Sequence, residues 1–264
     1  MRIIYALIAV SFAVSAIAQN QSTPAKKKGN LYFNWSYNRE WYSKSTIRFK
    51  NTTTDNYDFT FIDAKAHDSA DMHEFWRITR LTIPQYNMSL GYFFKGKHNL
   101  GVEVAWNHLK YVVTDNQVIH VRGNIRGRYI DKDTLVTPNF VHLQHTNGNN
   151  YLLFNLTKRH QLWHTKNLQL SGIGKVGVGP LVSYTISTIL GDYDSGRFHL
   201  QGWVTGVSGG LRLDIYRRFF VQSDFQAAFA NYTGSELGSD HVGRATHHFF
   251  SWQGIYGFGA NFYF

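Results

Sequence analysis

The fold this sequence predicts is all-β: a transmembrane, antiparallel, up-and-down β-barrel of eight strands. Three observations predict it. From Gly254 to Phe264 the chain alternates strictly, with Tyr256, Phe258, Ala260, Phe262 and Phe264 on one face and Gln253, Ile255, Gly257, Gly259 and Asn261 on the other. A strand with lipid on one side and a polar lumen on the other needs that period of two, over about ten residues when tilted. At the other end, Arg2 precedes an apolar run from Ile3 to Val14 and an Ala16-Ile17-Ala18 cleavage site, the pattern of a secretory signal peptide. Between them, alternating segments recur, joined by connections that are short and long in turn.

The domain reading is a signal peptide over 1–18, a flexible periplasmic lead-in over 19–29 with Lys26, Lys27 and Lys28, and the barrel over 30–264. The first strand sets Leu31, Phe33, Trp35 and Tyr37 outward against Asn34, Ser36 and Asn38. The second sets Tyr86, Met88, Leu90, Tyr92 and Phe94 against Asn87, Ser89 and Gly91. In the third, Leu100, Val102, Val104 and Trp106 oppose Gly101, Glu103, Ala105 and Asn107, with Phe94 expected across from Leu100.

The fourth covers about Pro138 to Lys158, with Leu152, Phe154 and Leu156 toward lipid and an upper part, around Val141 and Leu143, out of phase. Leu168, Leu170, Val176 and Val178 mark the fifth, against Gln169, Ser171, Lys175 and Gly177. Trp203, Thr205, Val207, Leu211, Leu213 and Ile215 mark the sixth, and Phe219, Val221, Phe225, Ala227 and Phe229 the seventh. Opposed antiparallel residues share a face, so Ile215 should meet Phe219 across a three-residue turn. The alternating run already described is the eighth.

Connections at 95–99, 157–166 and 216–218 are short, and those at 43–83, 114–137, 180–195 and 234–245 are long. Short periplasmic turns and long outer loops are the outer-membrane pattern, and an even strand count places both termini in the periplasm. Runs near 46–50 and 57–64 predict a hairpin in the first loop. If it enters the membrane the count becomes ten.

At this point the chain resembles the small eight-stranded outer-membrane barrels of Gram-negative bacteria: the OmpA-type transmembrane domain, OmpX and the lipid A deacylase PagL. The resemblance rests on architecture, the signal peptide and the terminal Phe264. It implies lipopolysaccharide outside and phospholipid inside as lipid partners, and it says little about activity.

Eight strands leave an interior that side chains fill. Glu103, Lys175, Arg212, Asp214 and Asp224 point inward and predict a lumen charge network, with Arg212 diagonal to Asp224 and within reach of it. Such a lumen predicts a structural or interaction protein. A lipid A-modifying hydrolase and an anchor for a periplasmic envelope or secretion assembly are the alternatives.

Among the thirteen histidines, His145 with Thr146 lies at the depth of lipid A. PagL-type sites carry His-x-Ser and a downstream Glu. Here Thr replaces Ser, the neighbour is adjacent, and the Glu is missing. His247 and Ser251 share a face but stand ~13 Å apart along a strand. His67 with Ser69, and Ser239 with His241, fall in loops. No histidine pair has helical spacing with a general-base Glu and no glycine-rich loop precedes a helix, so neither metal nor cofactor is expected. Without cysteine there is no lipoprotein anchor, no disulfide and no thiolate chemistry. Nucleic acid is not a partner for a secreted barrel. Arg39 and Trp41, near the top of the first strand, fit a contact with lipopolysaccharide phosphates.

The charge has a position. Lys26, Lys27, Lys28, Lys95, Lys97, Lys158, Arg159, Lys166, Arg217 and Arg218 equal the whole formal excess of +10, and no acidic residue falls in the three turns. A basic periplasmic rim attracts inner-leaflet phosphates by about 1 kcal/mol per cation. An acidic periplasmic protein is the other partner it suits.

Overall fold

A computed structural model describes residues 29–69, 85–96 and 99–264. The expected signal peptide, the lead-in up to Lys28, and Lys97 lie outside the described residues. The strands are β1 (Asn30–Tyr42), β2 (Ser45–Asn51), β3 (Tyr57–Ala64), β4 (Ala66–His67), β5 (Tyr86–Phe93), β6 (Leu100–Val113), β7 (Gln117–Ile125), β8 (Arg128–Val136), β9 (Val141–His164), β10 (Leu168–Tyr184), β11 (Ile186–Ile189), β12 (Asp192–Asp194), β13 (Phe198–Ile215), β14 (Phe219–Leu237) and β15 (Gly243–Tyr263).

Eight of them close a ring in the order β1-β5-β6-β9-β10-β13-β14-β15, with β15 paired back onto β1. Closure leaves the ring without an edge, so every backbone donor in the span has a partner strand. Ile215 opposes Phe219, and the Phe94 amide donates to the Leu100 carbonyl at 2.8 Å. Leu90, Val104, Phe154, Val178, Val207, Phe225 and Phe258 all point outward and stand roughly half exposed. An apolar surface of that extent around a whole ring belongs in hydrocarbon.

The ten-stranded alternative is corrected: the β2–β3 hairpin pairs with the top of β15 and with β7, forming with β8 a sheet that rises from one side of the ring. Its inward side carries Ile47, Phe49, Phe59, Phe61 and Val121, which join Val141, Leu143 and Ile189 in one core above the membrane band. This explains the drift in β9. Val141 and Leu143 keep the inward parity of Tyr151 and Leu153, but there the interior is apolar and the outside is polar.

Three connections are shorter than expected. β9 and β10 are joined by residues 165–167 only, β10 continues to Tyr184, and β14 and β15 leave 238–242 between them. A bulge also shifts the register between Leu170 and Ser171, where Trp163 and Gln161 are their partners, and it carries Trp163 to the face of Leu170.

Candidate functional site: the filled lumen

The interior is built in layers. Nearest the turn end, Tyr32, Phe93, Ile173 and Phe220 form a small cluster around Arg212, whose guanidinium lies 3.4 Å from the centroid of the Phe220 ring and 4.9 Å from that of Tyr32. The rings fit because the residues paired beside them on the neighbouring strands, Gly91 and Gly259, lack Cβ atoms. A methyl at Gly91 would meet the Tyr32 hydroxyl, and one at Gly259 the Phe220 ring. Desolvated stacking of this kind is worth about 2 kcal/mol. Arg212 Nε reaches Asp214 at 3.1 Å, Arg159 reaches the same carboxylate at 2.7 Å, and Asn261 donates to it at 2.8 Å.

Two expectations change here. Arg212 pairs with Asp214, two residues away on its own strand, rather than with Asp224. The register does leave Asp224 diagonal, but Arg212 sits opposite Gln222, and Phe220 draws its guanidinium toward the turn end. Arg159 is an interior residue and not part of the rim, because β9 runs on past the expected turn and its inward parity aims Arg159 at Asp214.

One layer up, Lys175 lies between two carboxylates, 3.1 Å from Glu103 and 3.5 Å from Asp224. Tyr32 and Asn155 donate to Glu103 at 2.8 and 3.0 Å, and Gln222 donates to Asp224 at 2.6 Å. Buried charges cost several kcal/mol each unless they are paired and hydrogen-bonded. Pairs and donors together are what the interior supplies.

Nearer the loop end the interior turns aromatic. Tyr111 stacks on Phe249 at 4.5 Å, and Tyr232 stacks on His145 at 4.5 Å and on His247 at 4.6 Å. His145 is fully buried and its Nδ1 lies 3.0 Å from Thr185 Oγ1. Thr146 follows it in an extended strand and faces the other way, so the two form no catalytic pair. Ser251 bonds to Tyr151 and not to His247. In the second loop triplet both residues have other partners: His241 Nδ1 faces Asp194 at 3.2 Å, and the Ser239 amide donates to Asp192. In the first, His67 Nδ1 lies 2.9 Å from the Asp68 carbonyl oxygen. Among the described residues no three histidine or acidic side chains converge as metal ligands would.

Outside the lumen, Lys95, Lys158, Lys166, Arg217 and Arg218 are exposed around the turn end. Arg39 faces Asp68 at 3.7 Å, beside exposed Trp41. Sequence reading missed the aromatic layer, although large aromatics at inward positions 111, 151, 232 and 249 carry its signal.

Ring closure and an apolar exterior define the class: a small transmembrane β-barrel. No family model matches the chain, and no curated protein matches it. Solved structures similar to it include the outer membrane protein OprG from Pseudomonas aeruginosa, 14% identical over 90% of this chain and 98% of that one, with a TM-score of 0.38. Ail of Yersinia pestis in complex with sucrose octasulfate is 10% identical over 90% and 100%, with a TM-score of 0.31. The outer membrane protease OmpT from Escherichia coli is 9% identical over 92% and 99%, with a TM-score of 0.33. These are distant likenesses, and the class rests on the ring itself.

Proposed function

We propose that this chain is an outer-membrane barrel with a plugged lumen, acting as a structural or interaction protein through its two ends. The observation that carries this reading is the layered interior: ion pairs around Lys175 and Arg212 below, and stacked rings around Tyr232 above. An interior so occupied offers no route for solute, which leaves the surfaces to do the work. The turn end faces the periplasm and the sheet from β2 to β8 stands outside, since short turns lie inside in barrels of this class. A deacylase-like reading loses support, because His145 is buried and Thr146 points away from it.

The anchor reading keeps one observation in its favour. Lys95, Lys158, Lys166, Arg217 and Arg218 surround the turn end, and no acidic residue lies in its turns. Reversing Lys95, Lys97, Arg217 and Arg218 together tests it. The variant should insert but lose salt-sensitive association with anionic phospholipid vesicles or with co-purifying periplasmic proteins. Equal reversal of charges within 114–137 is the control. Identical behaviour of all three proteins would remove the rim from the account. An altered lipid A mass spectrum in cells carrying the gene would restore the hydrolase.

A further inference from the structure

The turn end of the ring is uneven. β6 begins at Leu100, opposite Lys158, whereas β9 runs on to His164 and is held there by β10. On the β6 side the Arg159 amide donates to the Asn99 carbonyl at 2.9 Å. Beyond it, from His160 to His164, no strand pairs with that side of β9 among the described residues. Backbone groups alternate in direction along a strand, so Gln161 turns its N–H and C=O the same way as Arg159. His164 is turned opposite to Thr165, whose amide donates to Leu168 on β10, and so faces the open side too. Their side chains bond to each other at 2.8 Å. The β9–β10 hairpin thus reaches past its neighbour with one sheet edge bare, and a bare edge is a template for a further strand.

We propose that this edge is a docking strand for an extended, acidic segment of a periplasmic protein, which adds to β9 between His160 and His164. The inference rests on the anchor reading of the turn end and gives that reading a site. Charge selects the occupant. Exposed Lys158 and Lys166 flank the edge, Arg217 and Arg218 lie in the turn beside the start of β10, and no acidic residue falls between Thr157 and Leu170. A second copy of this edge, or the lead-in with Lys26, Lys27 and Lys28, would set like charges together. Backbone chemistry selects it again. A phospholipid phosphate only accepts hydrogen bonds and leaves the edge carbonyls unmatched, whereas an added strand supplies both donors and acceptors. Trp163, 43% exposed on the face of Leu170, marks the headgroup boundary, so the edge lies where a periplasmic chain can reach it.

The test uses the full barrel in detergent micelles and three short blocked peptides. One alternates valine with glutamate, the second has lysine for glutamate, and the third is the glutamate peptide N-methylated at alternate amides. Backbone amide shifts and hydrogen exchange are read by NMR. The glutamate peptide should shift and protect the amides of Gln161 and His164. Its N-methylated form keeps the charge but loses ladder hydrogen bonds, so it should bind at least roughly tenfold more weakly. The lysine peptide should not bind. Gln161→Pro removes an edge N–H and should abolish the response while the barrel stays folded in SDS. If that variant does not fold, Lys158→Glu with Lys166→Glu serves, and should weaken binding of the glutamate peptide. Silence of the Gln161 and His164 amides toward the glutamate peptide overturns the docking strand. So does equal binding of the N-methylated form, or a response at Lys95 and Arg217 instead, since the rim then attracts by charge alone and the anchor reading stands without the edge. If the Gln161 amide shifts with anionic phospholipid in the micelle and not with peptide, a headgroup occupies the edge and the proposal is equally overturned.

Discussion

Lys175 stands between two carboxylates, whereas Asp214 stands between two arginines, and this difference orders the cost of removing each cation. Lys175→Met leaves Glu103 and Asp224 buried without a counter-charge, so it should cost at least the 3–5 kcal/mol of a broken buried pair, at roughly the top of that range. Arg212→Ala leaves Asp214 with Arg159 at 2.7 Å and Asn261 at 2.8 Å, so the loss should be smaller, roughly 3 kcal/mol, and come largely from the vacated stack on Phe220. Urea unfolding in lipid vesicles reads both. Equal midpoints for the two variants would contradict the assignment of partners.

The β7–β8 hairpin provides a pH test that lies outside the membrane. His120 faces Asp133 at 3.0 Å and Asp131 at 2.6 Å, and its hydrogen bonds to Asp133 and then Asp131 raise its pKa above the ordinary histidine value. A raised folded-state pKa means that the stabilisation is fully present below the unfolded value, roughly 6.5, and is lost as pH climbs through the folded one. Protection of the hairpin amides, corrected for intrinsic exchange, should therefore fall as pH rises through that window in the wild type and stay level in His120→Gln. The reverse slope would contradict the pairing.

The elements also separate what was legible in the sequence from what was not. Strand faces in the membrane were legible because lipid outside and polar lumen inside impose one pattern on Leu31 to Asn38 and on Phe219 to Ala230. Above the membrane the rule inverts: water lies outside and an apolar core within, so Val141 and Leu143 read as out of phase although their parity never changes. Strand ends at the loop side were misplaced for the same reason, whereas Arg159 was misplaced because β9 runs on past the expected turn to His164. Partner choice within the lumen was illegible, since Arg212 could reach either Asp214 or Asp224 and the aromatic rings decided.

At the scale of the whole molecule, ring closure makes the barrel a single cooperative unit with no free edge. It should stay folded in SDS at room temperature and migrate differently once boiled. Mobility unaffected by boiling, with recovery in the soluble periplasm, would sink the fold. Arg212, Phe220, Tyr111, Tyr232 and Phe249, all buried in the interior, carry the proposal that the lumen is plugged and that function belongs to the two ends. The most direct test is single-channel recording of purified protein in planar bilayers. The filled lumen predicts no discrete conductance steps above the bare bilayer at moderate voltage. A steady, ion-selective current from the folded wild type would show an open lumen and contradict the account.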